Sequence, residues 1–119
     1  MITTKDEYEL ILKYIYLPMT RRVIEKDLEK MEASKFKFSD IYLDFFKSKI
    51  DWIGKDIGEL KREAKRKGIA VHELGVDSSS SVKYCNYLVV VRGQEQEMKV
   101  LSHVMANNVR DILRSYVNK

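Results

Sequence analysis

Cysteine, histidine, proline and glycine are all scarce in this sequence, and each scarcity removes a class of function. The one cysteine, Cys85, leaves no intrachain disulfide, no zinc quartet of thiolates and no CxxC redox pair, which fits a reducing compartment. No apolar run approaches the roughly 20 residues of a membrane span; the longest, Leu10 to Leu17, is broken by Lys13. The first residues do not follow the basic-then-apolar order of a signal peptide, so the expectation is a cytoplasmic protein with no membrane contact. There is no Gly-rich phosphate loop, dinucleotide fingerprint, HExxH helix or GxSxG elbow, and the mechanisms those spacings support are unsupported here.

The two histidines stand alone. His72 and His103 have no nucleophile or carboxylate held nearby by a motif, and Glu73 points away from His72 if the segment is extended. Cys85 has no neighbouring histidine or helix N-terminus to lower its pKa, so a packed thiol is the expectation. No catalytic residue, metal ligand set or cofactor is expected.

What is present is an ordinary globular composition. The 119 residues are 45% hydrophobic and 34% charged, enough for one core, and residues 1–119 read as a single domain. The net charge of +4 is unevenly placed. Residues 34–68 carry ten Lys/Arg against six Asp/Glu, while the remaining segments are close to balanced.

Hydrophobic spacing predicts an α+β, mostly helical fold in the order ααββα: a long bent first helix, a second helix, a two-stranded β-hairpin and a long C-terminal helix. Thr4 and Glu7 form a capping box at the start of the first helix, predicted over 5–33. Its residues Leu10, Ile11, Leu12, Tyr14, Ile15, Tyr16 and Leu17 point in nearly every direction, so this part must be covered on most sides. Pro18 should bend or break it. Ser39 is a plausible N-cap of the second helix, whose Tyr42, Phe46, Ile50, Ile53, Ile57, Leu60 and Ala64 recur three and four apart, with Gly68 closing it.

From Ile69 the period changes to that of strands, Ile69 to Val76 and Val82 to Val91, joined by Asp77 and the polar run Ser78 to Ser81. A competing reading takes Val71 to Tyr84 as the turn of a helix-turn-helix, with a recognition helix starting in the serines; the β-branched residues that follow argue against it. After Gly93 the helical period returns through Met98, Leu101, Met105, Val109, Ile112, Leu113 and Tyr116, with Val100 and Val104 on the opposite side.

Two surfaces carry functional expectations. The apolar surplus of the first and last helices makes Leu10, Tyr14, Leu17, Val100 and Val104 candidate interface residues of a homodimer. The basic end of the second helix, Lys61, Arg62, Lys65, Arg66 and Lys67, is a candidate site for nucleic acid or an acidic partner, with Arg21, Arg22, Arg110 and Arg114 as helpers. The same cations also offset the helix dipole, and Glu59 and Glu63 can pair with Arg62 and Lys67. The aromatic residues between Tyr14 and Trp52 fit either a core or an interface; Phe46 reads as core, and Tyr16, Phe36 and Trp52 are open.

The strings Tyr16-Leu17-Pro18-Met19, Phe36-Lys37-Phe38, Tyr42, Lys55-Asp56, the basic helix end, the Tyr84 strand and Arg92-Gly93 resemble a group of short uncharacterised proteins from spore-forming bacteria and their phages. The resemblance spans most of the chain. It implies a bacterial or prophage cytosolic protein and carries over no catalytic residue. The leading functional expectation is a non-enzymatic regulatory or protein-interaction module acting through protein contacts; the alternative is a DNA- or RNA-binding regulator.

Overall fold

A computed structural model describes residues 4–34, 36–78 and 81–119. Three helices and a three-stranded antiparallel sheet follow the order α1 (Lys5–Ala33), α2 (Ser39–Arg66), β1 (Ile69–Asp77), β2 (Tyr84–Val91), β3 (Gln94–Leu101) and α3 (Ser102–Val117). The fold is α+β and mostly helical, with one more strand than the sequence pattern suggested. Ser79 and Ser80, within the serine run, lie outside the described residues.

The reciprocal bonds of the capping box start α1: Glu7 N–H donates to Thr4 Oγ1, and Thr4 N–H donates to Glu7 Oε1, both at 3.1 Å. The helix runs unbroken through Pro18. Proline cannot donate to the carbonyl of Tyr14, and on the next turn the hydroxyl of Thr20, fully buried, donates to the Tyr16 carbonyl at 2.8 Å, a back-bond that also favours bending of a helix. α1 packs against α2, α3 and β1, which is why its apolar residues can point in so many directions and still be covered. Leu10, Ile11, Ile15, Tyr16 and Leu17 are all buried.

α2 begins one residue earlier than a Ser39 cap would place it. Phe38 occupies the N-cap position without a side-chain bond to the helix, and Ser39 is the first helical residue. At the other end Gly68, at φ +71, closes the helix in the left-handed conformation and accepts a bond from Arg92 N–H at 2.8 Å. Ile53, Ile57, Leu60 and Ala64 form its buried stripe.

The sheet order is β1-β2-β3. Ile69 faces Val91 across the first pair, and a bulge between Glu73 and Gly75 lets β1 continue to Asp77 opposite Tyr84. In the second pair Tyr84 faces Leu101 and Val91 faces Gln94, so Arg92 and Gly93 form a two-residue hairpin turn with positive φ at both positions, +49 and +84. Alternation then sorts the strands: Tyr87, Val89, Val91, Ile69 and Val100 are buried beneath the helices, while Leu88, Val90 and Ala70 on the other face are only half-buried.

Two expectations are corrected here. Residues 94–101 belong to a strand and not to the last helix, which starts at Ser102 with its N–H bonded to the Lys83 carbonyl at 3.0 Å. The helix-turn-helix reading fails because the residues on either side of the serine run, to Asp77 and from Tyr84, are paired strands. Their β-branched and aromatic residues satisfy their backbones in a ladder rather than in a recognition helix.

Candidate interaction surface

α2 has 28 residues and α3 has 16, or about 42 and 24 Å at 1.5 Å per residue, so α3 cannot cover the whole of α2. The end of α3 meets the middle of α2. There Trp52 and Tyr116 stack edge to face with centroids 6.5 Å apart, the Tyr116 hydroxyl donates to Asp56, and Lys49 Nζ donates to the carbonyl of Lys119 at 3.0 Å. Burial and the bond to Asp56 both push the Tyr116 hydroxyl well above the usual tyrosine range. Lys49 is buried, with its ammonium 5.0 Å from the Phe45 ring and 5.6 Å from the Trp52 ring; Lys119 Nζ sits 4.7 Å from Trp52 and 4.2 Å from Tyr116.

Beyond that junction the first half of α2 has α1 beside it, where Lys47 approaches Glu32 to 4.0 Å, but no second helix. Phe36, Phe38, Ile41, Tyr42, Phe45 and Trp52 are exposed there. Ile41, Phe45 and Trp52 fall within about a quarter of the helix circumference at roughly 100° per residue, beside the core stripe rather than on it. With side chains of this kind carrying about 150–250 Å² each and roughly half of it open to water, the patch offers on the order of 600 Å². That is the upper end of what a monomer ordinarily exposes. Charges of both signs flank it, Lys37, Lys47 and Lys55 with Asp40, Asp44 and Asp51, each within one turn of an exposed aromatic, and the Lys49 and Lys119 ammonium groups lie against the Trp52 ring.

The residues expected to form an interface lie elsewhere. Leu10, Leu17 and Val100 are buried in the chain's own core, because α1 is covered on three sides and Val100 points inward from β3. Tyr14 is half-buried, and Val104 is 38% exposed on α3. Phe46 packs against the core as its spacing predicts, whereas Tyr42, which shares that spacing, is half exposed because α3 stops short of it.

The five cations of the basic cluster are all exposed on the last turns of α2, and they fan around it. Lys61 opens onto a cleft beside Arg21 and Arg22, while Lys67 lines a separate groove and pairs with Glu63 at 3.4 Å. His72 and His103 are exposed, and Cys85 is half-buried with Sγ 3.7 Å from Ser102 Oγ. Among the described residues no group of three or more His, Cys, Asp or Glu could hold a metal ion, and no helix is long and apolar enough to cross a membrane.

A family model described as "YhjD protein" matches residues 1–119. The chain belongs to the YhjD protein family. A YhjD-family relative from Bacillus subtilis (strain 168), described as "Uncharacterized protein YhjD", is 24% identical over 113 residues, covering 95% of this chain and 91% of that protein. No solved structure matches. Within the YhjD-family chain, Phe36, Phe38 and Tyr42 stand on the exposed aromatic face, Asp56 accepts from Tyr116 at the junction with α3, and Arg92-Gly93 makes the hairpin turn.

Proposed function

We propose that this YhjD-family protein is a non-enzymatic interaction module of the bacterial cytoplasm that pairs with a second copy of itself through the aromatic face of α2. The observation that carries the reading is the exposed set Phe36, Phe38, Ile41, Tyr42 and Phe45, left bare where α3 runs out, with Trp52 at its margin. Its extent, on the order of 600 Å², approaches the roughly 800 Å² per partner of a standard protein interface. A second copy is the occupant the rim favours. Charges of both signs border the patch, so a two-fold pairing can set lysine against aspartate.

Sedimentation velocity tests this at tens of micromolar protein. The wild type is expected to sediment as a dimer, and Ile41→Glu with Phe45→Glu as a folded monomer of unchanged circular dichroism. A wild type that remains monomeric, or a double variant that still dimerises, overturns the reading.

A further inference from the structure

α1, α2 and β1 meet around an open cleft of about 720 Å³, away from the aromatic face. Its volume falls in the range of small-molecule sites. Arg21 and Arg22 reach it from α1, Lys61 from α2 and His72 from β1, so groups up to about fifty positions apart in sequence converge on one space.

The cleft contains two acids, and both are already engaged. Glu25 accepts from Arg21 Nε at 3.0 Å, and Glu73 accepts from both terminal nitrogens of Arg22. Among the described residues, Lys61 and His72 have no ion-pair partner. The three cations Arg21, Arg22 and Lys61 therefore face two carboxylates, a surplus of one.

The Arg21 guanidinium lies along α2 at Gly54, 3.6 Å from where a Cβ would stand, an ordinary contact distance. The half-buried Tyr14 ring and the Pro18 ring supply a flat apolar wall next to the cations.

We infer that this cleft binds a small phosphate monoester with a planar body, of nucleoside monophosphate size. The phosphate, carrying close to two negative charges at neutral pH, meets Lys61 and Arg21, the latter turning from Glu25, and the His72 ring can donate one hydrogen bond to it. The planar body lies against Tyr14 and Pro18. A single phosphate would leave most of the volume unfilled, and three cations grouped around one cleft between α1, α2 and β1 do not form the long stripe that a duplex backbone requires.

The test is calorimetric titration of the intact chain with AMP, GMP, CMP and UMP in turn, and with adenosine and inorganic phosphate. At least one monophosphate should saturate, with adenosine and inorganic phosphate each weaker by about tenfold or more. Arg21→Gln with Lys61→Gln should lose that binding by a similar factor, while Lys65→Gln, outside the cleft, should keep it. All these positions are exposed, so the fold is expected to survive, as thermal melting would verify. No response to any monophosphate, equal affinity for adenosine, or undiminished binding by the Arg21/Lys61 variant overturns the inference. A response to duplex DNA with none to the monophosphates does the same.

Discussion

Ile53 and Ile41 stand on one helix about three turns apart and meet opposite surroundings: Ile53 has no exposed surface, and Ile41 is 60% exposed. Truncating Ile53 to alanine leaves a cavity under α1 and should cost about 2–5 kcal/mol in urea unfolding. Ile41→Ala should change the stability of the dilute monomer by no more than about 0.5 kcal/mol. A second contrast is electrostatic. The Thr4 N–H and then the Arg92 guanidinium, both donating to Glu7, hold its carboxyl below its ordinary value of 4.5. Because the folded value is depressed, the stabilisation is complete above pH 4.5 and fades as the pH falls through the folded value. Glu7→Gln should therefore unfold more easily than the wild type near neutrality, with the difference shrinking in acid; a gap that stays constant down to pH 3 or so would refute this assignment. The half of this arrangement that sequence reveals is the local half. Thr4 and Glu7 are three residues apart and announce a cap, whereas Arg92 reaches Glu7 only after the whole sheet is in place.

The elements show where spacing succeeds and where it misleads. α1 and the core stripe of α2 are legible because a helix imposes its own period on whatever covers it. β3 is not. Gln94-Glu95-Gln96-Glu97 has low strand propensity and looks like the acidic first turn of a helix, and Met98 and Leu101 extend the helical period of α3 backwards by coincidence. What decides the matter is the turn before it. Arg92 and Gly93 both take positive φ, which folds β3 back along β2 and buries Val100 against the core. The acidic residues then serve a strand, since charges along the exposed edge discourage pairing with another chain. Placing a side chain at Gly93, where φ is +84, should strain the turn, and Gly93→Ala is expected to cost about 1–2 kcal/mol by thermal unfolding. Hydrogen exchange on the same variant should show the amides of residues 94–101 losing protection before those of α2; a helical pattern of protection across 94–101 would contradict the strand.

At the scale of the whole molecule the dimensions are 52 × 37 × 19 Å, a slab whose long α2 outreaches the helix laid across it. The exposed aromatic face exists because of that mismatch, and so it could not be located from sequence. The aromatic residues were visible there, but Tyr42 and Phe46 have the same claim to the core until the end of α3 is known. The apolar residues of α1 that the sequence offers as an interface, Leu10 and Leu17, are covered inside one chain, whereas the aromatic residues at the start of α2 are not. Self-pairing through that half is the central claim, and the chain carries its own reporter, since its one tryptophan, Trp52, sits at the margin of the face and is less than half exposed. The decisive measurement is Trp52 emission and acrylamide quenching as the protein is diluted from tens of micromolar to nanomolar. Pairing predicts blue-shifted, protected emission at high concentration that moves to the red and becomes quenchable on dilution. Emission and quenching that do not depend on concentration would contradict it.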